Sequence, residues 1–100
     1  MQYPLNIQAP SRLSAAITTN TNTAINTGGG AQVTGYVCTD AGSSWTFQLF
    51  NGDPSNGGVA VGPAITPSVG ITSLPNIGFP NGLYVQTAGT TAGSIQIAYH

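Results

Sequence analysis

The sequence predicts an all-β fold: an antiparallel β-sandwich of about seven or eight short strands, jelly-roll or immunoglobulin-like, behind an extended N-terminal arm. Three observations carry that expectation. Short segments recur in which apolar and polar residues alternate, the pattern of a strand with one buried face. Clusters of Gly, Asn and Pro, which supply turn geometry, separate them. No stretch holds the 3.6-residue apolar period of an amphipathic helix.

Residues 1–10 are set apart by Pro4 and Pro10, with Tyr3, Leu5 and Ile7 alternating against Gln2, Asn6 and Gln8. They read as the arm, and residues 11–100 as the sandwich domain. An isolated short strand is not stable, so the arm is expected to add to, or pack on, a neighbouring subunit. Tyr3, Leu5 and Ile7 are therefore the candidate partner-binding residues.

The first strand is expected over Leu13–Thr19. The polar runs Thr18–Thr23 and Thr27–Gly30 read as a loop, or as a strand interrupted by a bulge. Further strands are expected over Gln32–Thr39, Trp45–Phe50, Val59–Val61 with a continuation at Ala64 and Ile65, Gly70–Leu74, Leu83–Gln86 and Ser94–Tyr99. Their Val, Ile, Thr and aromatic content suits strands. In the clearest of them Trp45, Phe47 and Leu49 share one face and Thr46 and Gln48 the other; Ile95, Ile97 and Tyr99 repeat the arrangement against Ser94 and Gln96. With Val85, these residues define the expected core: Trp45, Phe47, Leu49, Val85, Ile95 and Ile97. Asn51-Gly52 and Asn81-Gly82 are hairpin signals, because both residue types tolerate positive φ; Asn56-Gly57-Gly58 lengthens the first connection. Pro63, Pro67, Pro75 and Pro80 confine the strands near them to short or edge positions.

Composition narrows the function. Of 100 residues only Arg12, Asp40 and Asp53 carry a formal charge, whereas ordinary soluble domains are about a quarter charged. A hydrophobic share of 40% fits one folded domain with one core. The net charge of −1 gives no long-range steering. Phosphate-driven nucleic-acid binding needs several cations and is excluded. No run approaches the roughly 18 to 20 apolar residues of a membrane-spanning helix. The N-terminus lacks the basic and apolar regions of a secretory signal, which reads as a chain made, and left unprocessed, in the cytoplasm. Cys38, the sole cysteine, allows no intrachain disulfide.

Catalytic constellations are equally scarce. The one histidine, His100, is terminal and so expected to be mobile, and the many Ser and Thr hydroxyls lack a base to activate them. Asp40 in Thr39-Asp40-Ala41-Gly42 and Asp53 before Pro54 occupy turn positions, where a short carboxylate accepts from nearby backbone N–H groups. One such Asp plus carbonyls would make only a weak calcium site, and the chain cannot supply a zinc ligand cluster. Gly28-Gly29-Gly30 lacks the lysine and helix of a phosphate loop. Cys38 shares a strand face with Tyr36 and reads as a buried thiol. Trp45, in phase with Phe47 and Leu49, reads as core, while Tyr36, Tyr84 and Tyr99 leave a sugar-stacking platform open. The expectation is a protein that is not an enzyme, with no catalytic, cofactor-binding or metal residue and no cofactor.

From Phe79 onward the chain reads Phe79-Pro80-Asn81-Gly82-Leu83-Tyr84-Val85-Gln86-Thr87-Ala88-Gly89-Thr90-Thr91-Ala92-Gly93-Ser94-Ile95-Gln96-Ile97-Ala98-Tyr99-His100. This resembles the C-terminal end of small tailed-bacteriophage virion structural proteins of the capsid decoration or accessory type. In these an NGLYV-like strand, a TxGTTAG-like turn and a final alternating strand ending in Tyr plus a basic residue close the domain. Gln48-Leu49-Phe50-Asn51-Gly52 is similar to their middle hairpin. Together the segments cover about a quarter of the chain and are structural rather than catalytic. The resemblance implies a non-enzymatic virion protein, a capsid decoration (cement) protein present in many copies. Its partners would be copies of itself, as a homo-oligomer, and a major capsid or other virion protein, with neither nucleic acid nor membrane as partner. The alternative is a carbohydrate- or receptor-binding module of a phage tail or fibre. A row of exposed tyrosines would favour that alternative; buried aromatics beside an apolar rim or arm would favour assembly.

Overall fold

The computed structural model describes residues 12–100. Eight strands lie in two four-stranded antiparallel sheets: β1 Arg12–Leu13, β2 Asn22–Asn26, β3 Ala31–Asp40, β4 Ser43–Asn51, β5 Val59–Ile65, β6 Gly70–Phe79, β7 Leu83–Thr91 and β8 Ser94–Tyr99. One sheet has the order β1-β8-β3-β6, the other β2-β7-β4-β5. The pairs β1·β8, β2·β7, β3·β6 and β4·β5 are those of one long hairpin rolled across two sheets, so of the two sandwich types expected the strand order is that of a jelly roll.

The core lies between the sheets. Trp45, Phe47, Leu49, Val85, Ile95 and Ile97 are all buried, as their alternation predicts, and Ile17, Val33, Tyr36, Cys38, Phe79 and Leu83 join them. Tyr36 of one sheet meets Phe47 of the other edge to face, with ring centroids 5.0 Å apart and planes at 71°. That geometry suits the aromatic quadrupole and ties the layers together.

Several expected elements shift for identifiable reasons. Leu13–Thr19 is not one strand. After Leu13 the Ser14 hydroxyl accepts from Ile97 N at 2.9 Å, taking a rung that backbone would otherwise fill. The chain then leaves the sheet and returns at Ile17, which exchanges both backbone hydrogen bonds with Ile95. β2 begins within the first polar run, at Asn22, and ends before the second, with its register shift after Ala24. β7 continues through Thr91, so the turn expected over Thr87–Gly93 is confined to Ala92-Gly93. There Gly93 is pressed against the Asp40 carbonyl and Gly42 N, leaving no room for a Cβ.

Asn51-Gly52 closes the β4–β5 hairpin through a longer loop, as expected. Asn81-Gly82 does not make a hairpin: β6 and β7 belong to different sheets, and the turn, closed by Gly82 N on Phe79 O at 3.1 Å, carries the chain from one layer to the other. The two Asn-Gly turns lie side by side. Asn81 N donates to Asn51 Oδ1 at 2.8 Å and Gly52 N to Gly82 O at 2.9 Å.

Candidate functional site

The titratable side chains do not converge. Asp40 Oδ1 accepts from Gly42 N at 2.9 Å, and Asp53 accepts from Ser55 N at 2.9 Å and Asn56 Nδ2 at 3.2 Å, capping the short 3-10 turn Pro54–Asn56. Both carboxylates do the turn work their positions predict. Cys38 is buried, and desolvation pushes its thiol pKa up, opposed by a hydrogen bond from the Asp40 backbone. His100 is not a loose end: its N–H donates to Gln32 O at 2.9 Å and its carbonyl accepts from Gln32 N at 2.7 Å, adding a rung beside β3. Its Nε2 is shielded from solvent without a hydrogen-bond partner among the described residues. No group of three or more His, Cys, Asp or Glu forms among the described residues.

The aromatic side chains turn inward. Trp45 is 1% exposed and its indole N–H donates to Asn20 Oδ1 at 2.8 Å; Tyr36 is buried with its hydroxyl accepting from Ser68 N at 3.1 Å. Tyr84 and Tyr99 are half-buried, and no aromatic among the described residues is exposed. Asn20 was not identifiable as the indole's partner, since it lies 25 positions away in a polar run.

What the surface does present is almost uncharged and partly apolar. On the outer face of the β1-β8-β3-β6 sheet, Ile71 stands opposite Val37 and Val37 opposite Gln96. In the next row Leu13 pairs with Ala98, Ala98 with Gly35 and Gly35 with Ser73. Ile71 is 84% and Leu13 52% exposed, with Val69 beside this face and Val59 on β5 also exposed. No charged residue stands in these rows. The sequence marked Gly70–Leu74 as a strand; its outward apolar residue follows from an edge position that local alternation does not encode.

The four edge strands are built differently on the two sides of the sandwich. On β6, Leu74, Pro75 and Asn76 together oppose the single residue Thr34 of β3; on β5, Gly62, Pro63 and Ala64 together oppose Gln48 of β4. Gln48 Nε2 fills the second bulge by donating to Gly62 O at 2.9 Å. Proline inside a bulge withholds a donor and distorts the edge, a recognised protection against unwanted pairing. On the other side β1, Arg-Leu, and β2, Asn-Thr-Ala-Ile-Asn, contain no proline. Between them opens a cleft of about 300 Å³ whose walls include Leu13, Ile17, Thr23, Ile25 and Tyr99. A second, polar hollow lies at the paired Asn-Gly turns around Asn51, Asp53 and Asn81. There Asp53 is already engaged by its own turn.

Tyr3, Leu5 and Ile7 lie outside the described residues; the described chain begins at Arg12, on β1 at the rim of the larger cleft. Compared with protein-family models, curated proteins and solved structures, the chain matches none.

Proposed function

We propose that this chain is a non-enzymatic structural protein of a phage virion, a capsid decoration protein that assembles in many copies on the particle and resides in the virion after synthesis in the host cytoplasm. The observation that carries the reading is the conjunction of an almost uncharged chain with outward apolar residues, Leu13, Val59, Val69 and Ile71. A free monomer stays in solution through surface charge and small apolar patches. A subunit packed among near-neutral neighbours needs neither, and like-charge repulsion does not oppose its crowding. The jelly-roll strand order is compatible with this role, since capsid proteins use it, although lectin domains and cupins do too and fold alone does not assign function. Against the carbohydrate-binding alternative stands the inward orientation of Trp45 and Tyr36.

The test is a quantitative mass-spectrometric count of this chain in purified particles, relative to the major capsid protein. A count of the same order as the capsid subunits supports decoration. A few copies per particle would move the protein to a tail or fibre, and absence would end the virion reading.

A further inference from the structure

We infer that the cleft between β1 and β2 receives residues Tyr3–Ile7 of a second copy of this chain, laid beside β2 as an added strand of the β2-β7-β4-β5 sheet. The inference deepens the assembling role proposed above by naming the surface through which copies join. It begins from the asymmetry of the edges. β5 and β6 are each interrupted by a proline-containing bulge, whereas β2, though its register shifts after Ala24, offers an outer edge of five residues without proline or charge. A strand edge without such protection, and with no partner on its outer side among the described residues, is a template for pairing.

The occupant follows from length, pattern and position. Tyr3–Ile7 is five residues, as is β2, and an extended strand of that length spans roughly 17 Å. Tyr3, Leu5 and Ile7 alternate, so one face of the added strand would be apolar toward Ile17, Ile25 and the aliphatic part of Thr23, all of which wall the cleft. Neither the segment nor β2 carries a charged side chain, so no ion is stripped of water on docking. The chain enters the described fold at Arg12, on the rim of this same cleft, so copies that meet at this edge bring their N-terminal segments to one another's clefts.

Disulfide trapping on the purified full-length chain tests this, because the native thiol, Cys38, is buried and does not compete. Leu5→Cys in a tagged copy is mixed with Thr23→Cys, or with Ile25→Cys, in an untagged copy under mild oxidation. Circular dichroism first confirms that each variant keeps the parent's β signature. The expected result is a tagged–untagged heterodimer on a non-reducing gel with at least one of the two acceptors. Two outcomes overturn the inference: a Leu5→Cys/Thr23→Cys double variant that links only within single chains at every concentration, or failure of both mixed pairs. Ile71→Cys is the control for the opposite edge, and dimers formed there while both mixed pairs fail would place the contact on β6 instead. Purified protein suffices, so the result stands apart from the particle count.

Discussion

Replacing Phe47 with alanine should destabilise the domain by roughly 3 to 5 kcal/mol, the range for truncating a fully buried phenylalanine. Phe47 is 0% exposed and sits on β4, a central strand paired with β7 and β5. It also makes the edge-to-face contact with Tyr36 across the sandwich, an arrangement worth about 0.5 to 1.5 kcal/mol beyond area burial. The loss is thus a large part of the 5 to 15 kcal/mol typical of a whole domain, on the order of half of it. Urea unfolding followed by tryptophan fluorescence reports it through buried Trp45, two positions away on the same strand face. A cycle with Tyr36→Leu isolates the ring pair: the double variant should lose less than the sum of the singles by about 0.5 to 1.5 kcal/mol. The matched control is Ile71→Ala at the exposed end of the scale, expected within about 0.5 kcal/mol of the parent. A Phe47→Ala loss below about 1 kcal/mol, well short of buried-phenylalanine costs, would mean that the sheets do not close over this residue as described.

Thr87 is buried on β7, and its hydroxyl donates to Thr19 O at 2.6 Å while accepting from Thr21 N at 3.0 Å. Thr87→Val keeps the shape but strands both partners and should cost about 1 to 3 kcal/mol by denaturant titration; Thr87→Ser should recover most of it. Gly93→Ala drives a methyl into the Asp40 carbonyl and should lower the unfolding midpoint far more than alanine at Gly57, where a Cβ meets nothing, although the positive φ there adds some strain. For Cys38, burial raises the folded-state thiol pKa above its ordinary value of 9.0. The unfolded chain therefore loses its proton first, and stability is fully present below pH 9.0 and declines as pH rises from there through the folded-state pKa. Cys38→Ala should flatten that component of the profile, and an unchanged slope would show that Cys38 does not supply it.

The parts of this fold legible in the sequence are those where one strand face is dry and the other wet. Trp45–Leu49 and Ser94–Tyr99 alternate strictly because each faces the core from a central strand. β5 was legible even in its interruption, since Gly62-Pro63 marks the bulge. β2 was obscured because Asn-Thr-Ala-Ile-Asn is an edge strand with only partial burial, so selection by the core barely shapes its composition. The early break at Ser14 depends on a side-chain hydroxyl reaching Ile97, 83 positions away, which no local pattern reveals. Asn81-Gly82 has the chemistry of a tight turn in either setting; whether it joins neighbours in one sheet or crosses between sheets is decided by long-range pairing. The turn roles of Asp40 and Asp53 were legible because each carboxylate bonds within three residues of itself. The cleft at β1 and β2 was not, since its walls come together only when the two sheets are stacked.

The most direct test of assembly without charge is the salt dependence of association, read as occupancy of the protein on its particle or as oligomer in sedimentation. Ionic strength is raised from about 50 mM to about 1 M sodium chloride, which shortens the screening length from above 10 Å to about 3 Å. With Arg12, Asp40, Asp53 and the chain termini the only groups to screen, affinity should stay within a factor of about two, and a kosmotropic salt such as sulfate should strengthen it. A loss of about tenfold or more, equivalent to about 1.4 kcal/mol, would show that one of those few charges grips the partner, and would contradict assembly through apolar burial and uncharged hydrogen bonds.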